Sequence, residues 1–177
     1  MLLNTRKLAF LGLLLAFDVL LIILSGIIEF NTMFLLAAAS FCVGIAIRET
    51  GRQYGFGFYL ASILLGFILA PNKLYVITYG AFGLYLAVIE YAYDKLVNIK
   101  NNVRRRKLFW TVKYITFNLL YIPMLIFLLK LVYQGDIDIR LIILLVLGGQ
   151  AALYVFDRAY EYFQSHIWGK VRGKLKL

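Results

Sequence analysis

Leu8–Ile28 reads LAFLGLLLAFDVLLIILSGII, and Asp18 is the one ionisable residue in that run. A helix needs about 20 apolar residues to cross the roughly 30 Å hydrocarbon core of a bilayer, and this stretch has that length and character. Arg6 and Lys7 precede it, as they would precede a signal peptide. The apolar block is longer than the usual h-region of about 7–15 residues, however, and no A-x-A-like site closes it, so it reads as a span. Five further apolar blocks follow at Met33–Ile47, Tyr54–Ala70, Leu74–Tyr93, Leu108–Val132 and Ile139–Phe163. They are continuously apolar, whereas barrel strands alternate in segments of about ten residues. The expected fold is therefore all-α: a polytopic membrane protein, one bundle of six transmembrane helices occupying residues 1–177, with a basic tail at 164–177. The second and third blocks look short, as fifteen helical residues reach only about 22 Å. They are expected to end below the headgroups or to border a hollow.

Composition agrees with this reading. Hydrophobic residues make up 63% of the 177-residue chain, charged residues 16%, and the mean hydropathy is +0.82. A soluble domain is about half apolar and a quarter charged, so a soluble enzyme, a disordered chain and a disulfide scaffold are excluded. Cys42 is the single cysteine and is expected to pack in its apolar run.

The distribution of Lys and Arg sets the expected orientation. Arg6, Lys7, Arg48, Arg52, Lys95, Lys100, Arg104–Lys107, Arg158, Lys170, Arg172, Lys174 and Lys176 fall on the side of the termini, fifteen residues in all. Lys73, Lys130 and Arg140 fall on the other, and Lys113 lies inside the fifth span. Both termini are thus expected in the cytoplasm, with the protein multi-pass in the cell membrane. The net charge of +10 follows from this bias, and Arg104–Lys107 reads as a topology signal in contact with lipid phosphate. No nucleic-acid partner is expected, because no aromatic-interleaved module surrounds the basic run. Asp94–Lys107 reads as a short amphipathic or frayed surface helix. Gln164–Leu177, with Ile167, Trp168, Val171 and Leu175 among lysines, reads as a lipid-surface anchor or a docking strip for a partner.

The first span has two faces. Ala9, Gly12 and Ala16 recur at i, i+3 and i+7 and form a stripe of small residues, which lets another helix approach closely. Asp18, Ser25 and Glu29 form a polar stripe, and at about 100° per residue it points away from the small one. Small stripes also serve packing within a bundle, so that use stays open. Asp18 lies near mid-membrane, where an acid is a functional candidate. Asn118 and Gln150 lie near the middle of the fifth and sixth spans, so a cluster of Asp18, Asn118 and Gln150 is expected. It would either fix helix register or floor a ligand cavity.

On the outer side, Glu29, Phe30, Asn31 and Thr32 form the first loop, and Pro71, Asn72 and Lys73 the second. Tyr75 and Tyr79 stand one turn apart on one face. The third loop carries Tyr133, Gln134, Asp136, Asp138 and Arg140. Aromatic walls with a few aimed polar groups are the make-up of a small-molecule pocket; tyrosine is also common in the interfacial belt. The candidate ligand-binding set is Asp18, Glu29, Asn31, Asn72, Lys73, Tyr75, Tyr79, Asn118, Tyr121 and Gln150. Towards the cytoplasm, Glu90, Asp157 and Glu161 are expected to pair with arginines among Arg48, Arg52, Arg104–Arg106 and Arg158.

No enzyme constellation, metal set or cofactor motif is legible. His166 is the single histidine and lies in the tail; G-x-S-x-G, H-E-x-x-H and P-loop patterns are absent. Any energy source must then be an ion gradient or another subunit.

Six helices in about 180 residues and Gly12-Leu13-Leu14-Leu15-Ala16 on the first resemble the S components of energy-coupling factor transporters, the substrate-binding membrane subunits of a class of bacterial ABC importer. In that family an Ala-xxx-Ala pair on the first helix contacts a transmembrane coupling subunit, and Gly12 stands at the first of those positions. The resemblance implies a ligand cavity in the outer half, capped by the first outer loop, Glu29–Thr32, with walls from the fourth to sixth spans. It also implies partnership with a coupling subunit and two ATPases in the uptake of a small molecule such as a vitamin or its precursor. The alternative is a non-transporting membrane assembly or scaffold protein that docks a cytoplasmic partner on its basic loops and tail.

Overall fold

A computed structural model describes residues 5–132 and 138–175. Helix α1 spans Thr5–Ile27, and a 3-10 turn at Glu29–Asn31 leads into α2, Thr32–Thr50. Helices α3 (Arg52–Leu69), α4 (Lys73–Leu96), α5 (Asn102–Val132) and α6 (Ile139–Tyr162) follow. A π-helical stretch, Phe163–Trp168, joins α6 to α7, Gly169–Leu175. Six helices are long and apolar enough to cross a membrane, and no strand occurs among the described residues. A helix satisfies its own backbone groups, which is why apolar segments take this form in lipid.

Two expectations are corrected. Helices α2 and α3 are not short: their 19 and 18 residues reach about 28 and 27 Å at 1.5 Å each, because both helices run through the polar residues that bound their apolar blocks. Asp94–Lys107 is not a surface helix. Helix α4 runs to Leu96, a short connection follows, and α5 starts at Asn102 and carries Arg104–Lys107 within it. Asn101 caps that start, its side-chain oxygen accepting from the backbone N–H of Val103 and Arg104 at 3.0 and 3.1 Å. The described part of the tail continues directly from α6, and its Trp168 packs on the bundle, 5.7 Å from the Phe10 ring of α1.

Helices α1 to α4 form a close-packed block with α2 at its centre. Leu14 and Ile22 of α1, Leu36 and Val43 of α2, Phe58 and Tyr59 of α3 and Val76 and Tyr79 of α4 share one apolar cluster, and Cys42 is buried within it. Two glycines permit the close approach. Gly51 turns α2 into α3 with φ +91°, a conformation L side chains rarely adopt. One turn on, a Cβ on Gly55 would lie 2.6 Å from Ile47 Cα and 2.8 Å from its nitrogen.

Helix α5 packs on α4. Helix α6 is held by large side chains instead of backbone proximity: Phe41 of α2 meets the rings of Phe156, Tyr160 and Phe163 at 5.5, 5.2 and 5.2 Å, and Phe82 of α4 stacks on Phe156 at 5.2 Å. Both α5 and α6 leave most of their flanks uncovered.

The α2–α3 contact gives a direct test. The Gly55→Val protein meets backbone atoms that no rotamer change can move, and such overpacking costs about 1–3 kcal/mol. Its thermal unfolding midpoint in detergent should fall. Gly57→Val, at a position whose Cβ would meet nothing within 4 Å, should unfold as the parent does.

Candidate functional site

Asp18 is fully buried between α1, α3 and α4. Tyr79 donates its hydroxyl to Asp18 Oδ2 at 2.6 Å. The other oxygen, Oδ1, and Ser62 Oγ of α3 make no hydrogen bond of good geometry, but the buried Ser62 hydroxyl lies beside both Asp18 and Tyr79 and is close enough to act on either. No Lys, Arg or His pairs with Asp18 among the described residues. A carboxyl so placed has room for one more donor: the Ser62 hydroxyl, a proton of its own, or a donor on a bound group. Ser25, on the same stripe, is buried and donates to the Ile22 carbonyl at 2.7 Å. The side chain of Glu29 lies outside the described residues.

The opposite face of α1 is bare. Ala9, Gly12 and Ala16 are all exposed, and a Cβ built on Gly12 would meet nothing within 4 Å. Leu13 and Phe17 flank them at 75% and 56% exposure, so none of the described residues covers this surface.

The expected polar cluster divides in two. Asp18 pairs with Tyr79 inside the α1–α4 block. Gln150 Nε2 donates to Asn118 Oδ1 at 2.8 Å, and Asn118 Nδ2 donates to the Tyr114 carbonyl at 2.8 Å. Both residues belong to the α5–α6 pair, which packs against α4 and not against α1. Tyr121 belongs with them: its ring fills the space Gly149 leaves open, and its hydroxyl donates to the Leu145 carbonyl at 2.8 Å.

The outer residues do local work. Asn72 caps α4 by accepting from the Leu74 N–H at 3.0 Å, and Lys73 Nζ donates to the Ala70 carbonyl at 2.8 Å. Pro71 presses on Gly26, where an added Cβ would lie 2.6 Å from Pro71 Cγ and 3.8 Å from the Tyr75 ring. Tyr75 and Tyr79 do share a face, and it is the face turned to α1. Asn31 is exposed at the start of α2 and its side chain makes no cap bond. Asp138 caps α6, accepting from Arg140 N–H at 3.0 Å; Tyr133, Gln134 and Asp136 lie outside the described residues.

The densest polar geometry is at the end of the bundle that holds both termini. Arg48 of α2 grips both oxygens of Glu90 of α4 at 2.6 and 2.8 Å. Tyr160 of α6 donates to the same carboxylate at 2.6 Å and accepts from Gln164 Nε2 at 3.0 Å. Lys113 of α5 is 1% exposed and bridges Asp157 at 2.7 Å and Glu161 at 2.8 Å. Glu49 accepts from the Trp168 indole at 2.9 Å and pairs with Arg172 at 3.1 Å. Ion pairing of Glu90, Asp157 and Glu161 was expected. The use of Lys113, a cation in the interior of the fifth span, was not. Its signal was present: Asp157 and Glu161, one turn apart, face it from the next helix.

Two hollows are described, of about 450 and 310 Å³. Both lie at this same end, the first between α4 and α5 and the second beside Arg52, Phe56 and Tyr91. Neither lies beneath Glu29–Thr32. No group of three or more His, Cys, Asp or Glu suited to a metal ion occurs among the described residues.

Fold and polar geometry together define a six-helix polytopic membrane protein with buried charge at one end. No protein-family model, no curated protein and no solved structure matches the chain.

Substitutions at Lys113 and Asp18 test these assignments. Lys113→Met leaves Asp157 buried without its cation, a loss of about 3–5 kcal/mol, and adding Asp157→Leu should restore most of the thermal stability in detergent. Asp18→Leu strands the Tyr79 hydroxyl at about 1–3 kcal/mol. Asp18→Asn keeps an acceptor for Tyr79 and offers an amide to Ser62, so it should unfold close to the parent midpoint; equal damage from both changes would show that the carboxyl itself is required.

Proposed function

We propose that the protein is the substrate-capture membrane subunit of an energy-coupling-factor-type importer, resident in the cell membrane with both termini in the cytoplasm. The observation that carries this reading is the bare stripe of Ala9, Gly12 and Ala16 on the helix whose opposite face buries Asp18. Small residues permit close backbone approach, and close approach in lipid is stabilised by van der Waals packing. The stripe would receive a helix of a transmembrane coupling subunit, and two ATPase subunits would supply the energy that this chain has no motif to harvest. The ligand would be a small molecule held in the outer half by residues around Asp18, Tyr79 and the first two outer loops, with Asp18 Oδ1 free to accept a hydrogen bond and the Ser62 hydroxyl beside it.

A second reading, a non-transporting scaffold that docks a cytoplasmic partner, is favoured by a different observation: both described hollows lie at the end that holds the termini. The chemical nature of the partner separates the two.

Tagged full-length protein, purified from its own membranes in mild detergent, should bring down a membrane subunit and two ATP-hydrolysing subunits. Gly12→Trp and Ala16→Trp should each lower that recovery about tenfold, equivalent to roughly 1.4 kcal/mol, while the variant chain stays monodisperse. Undiminished recovery of the ATPases would remove the stripe from the coupling contact, and capture of non-ATPase proteins alone would favour the scaffold.

A further inference from the structure

The larger hollow has a composition that the import reading does not use. Its apolar walls are Tyr93, Leu96 and Val97 from the end of α4 and Phe109 from α5; its polar side is Asn102, Arg105 and Arg106. The Tyr93 and Phe109 rings meet edge to face at 6.1 Å and brace the two helices on either side of it. Both guanidinium groups are exposed, and neither has an ion-pair partner among the described residues. The nearby acids are engaged elsewhere, Asp94 with Arg52 at 3.3 Å and Glu90 with Arg48 at 2.6 Å. Two positive charges therefore stand at the mouth of an apolar recess with no counter-charge from the protein.

Helix length places that recess at a definite depth. The 31 residues of α5 reach about 46 Å, and the hydrocarbon core takes about 30 Å of it. Roughly ten residues must project into the headgroup layer. Arg104–Lys107 belong to that overhang, because the apolar run of α5 begins at Leu108. Trp110, one turn further in, sits where interfacial aromatics concentrate. An arginine fork matches the oxygens of a phosphate in two parallel hydrogen bonds. The recess thus combines phosphate recognition with an apolar wall, at the depth where a phospholipid carries its phosphate above its chains.

We propose that the hollow between α4 and α5 is a headgroup site for an anionic phospholipid, its phosphate held by Arg105 and Arg106 and the upper part of its acyl chains lying on Leu96, Val97 and Phe109. This differs from the general attraction of a basic surface for anionic lipid, because it singles out two of four consecutive cations and requires the recess.

Native mass spectrometry of the full chain in mild detergent, titrated with phosphatidylglycerol or with phosphatidylcholine of the same chains, reads the site directly. One phosphatidylglycerol should bind in a saturable manner, several-fold more tightly than phosphatidylcholine. Arg105→Gln with Arg106→Gln should abolish that preference, and Arg104→Gln with Lys107→Gln, which removes the same charge outside the hollow, should preserve it. Val97→Trp, which fills the recess and keeps all four cations, should weaken phosphatidylglycerol binding. Equal loss from the two double substitutions, or equal binding of the two lipids, would overturn the proposal in favour of a diffuse basic surface. Displacement of the lipid by inorganic phosphate at comparable concentration would overturn it in favour of a site for the free anion.

Discussion

Arg48, Glu90 and Tyr160 join three helices through one carboxylate. The guanidinium of α2 holds both oxygens of Glu90 on α4, and the hydroxyl of α6 donates to one of them. In lipid an unpaired carboxylate is expensive, so each partner is obliged to stay. The geometry also depends on a missing side chain: a Cβ on Gly44 would collide with the Tyr160 hydroxyl. Because α6 approaches the block only through long side chains, this junction and the Lys113–Asp157 pair fix its rotation and height. Apolar contact alone cannot do so, since lipid chains are as apolar as Leu or Phe. The phenyl contacts of Phe41 and Phe82 fill space; the charged contacts select one register.

The membrane fold was legible because it rests on block length and hydropathy, which are properties of each segment alone. All six spans were found, and their ends differed where helices ran on through polar residues: Arg48–Thr50 in α2, Arg52 and Gln53 in α3, and Asn102–Lys107 in α5. Periodicity on one helix was equally readable. The two faces of α1 were placed correctly, with Asp18 and Ser25 inward and Ala9, Gly12 and Ala16 outward. What sequence could not supply was which helix lies beside which. Asp18, Asn118 and Gln150 share a depth, and depth suggested a cluster, but α1 packs against α2, α3 and α4 whereas Asn118 and Gln150 face each other across α5 and α6. The true partner of Asp18 was Tyr79, identified as a candidate for a different reason. Lys113 illustrates the same limit, since its importance depends on the neighbouring helix that brings Asp157 to it.

The two ends of the bundle are built differently. At the end remote from the termini, the described residues make local bonds: Asn72 and Asp138 cap helices, Lys73 ties to Ala70, and Pro71 packs on Gly26. Such residues look like ligand contacts in a sequence because turn chemistry and ligand chemistry draw on the same side chains. At the end that holds the termini, charges pair across helices, and the described hollows open between them. Basic residues exceed acidic ones by ten, and Glu49, Glu90, Asp94, Asp157 and Glu161 are each occupied by cations of the bundle.

Asp18 and the small stripe occupy one rigid helix, and this joins the interior to the surface. Any shift that gives Asp18 Oδ1 a donor must act through Tyr79 or Ser62, on α4 and α3, or through α1 itself. Helix α1 is packed against α2, α3 and α4, with Trp168 on Phe10 near its start, and these contacts leave the small stripe uncovered. The bare face, where a Cβ on Gly12 would meet nothing within 4 Å, belongs to that same helix. The buried carboxyl and the uncovered stripe are thereby joined through one helical backbone, which is stiff because each N–H bonds the carbonyl four residues back.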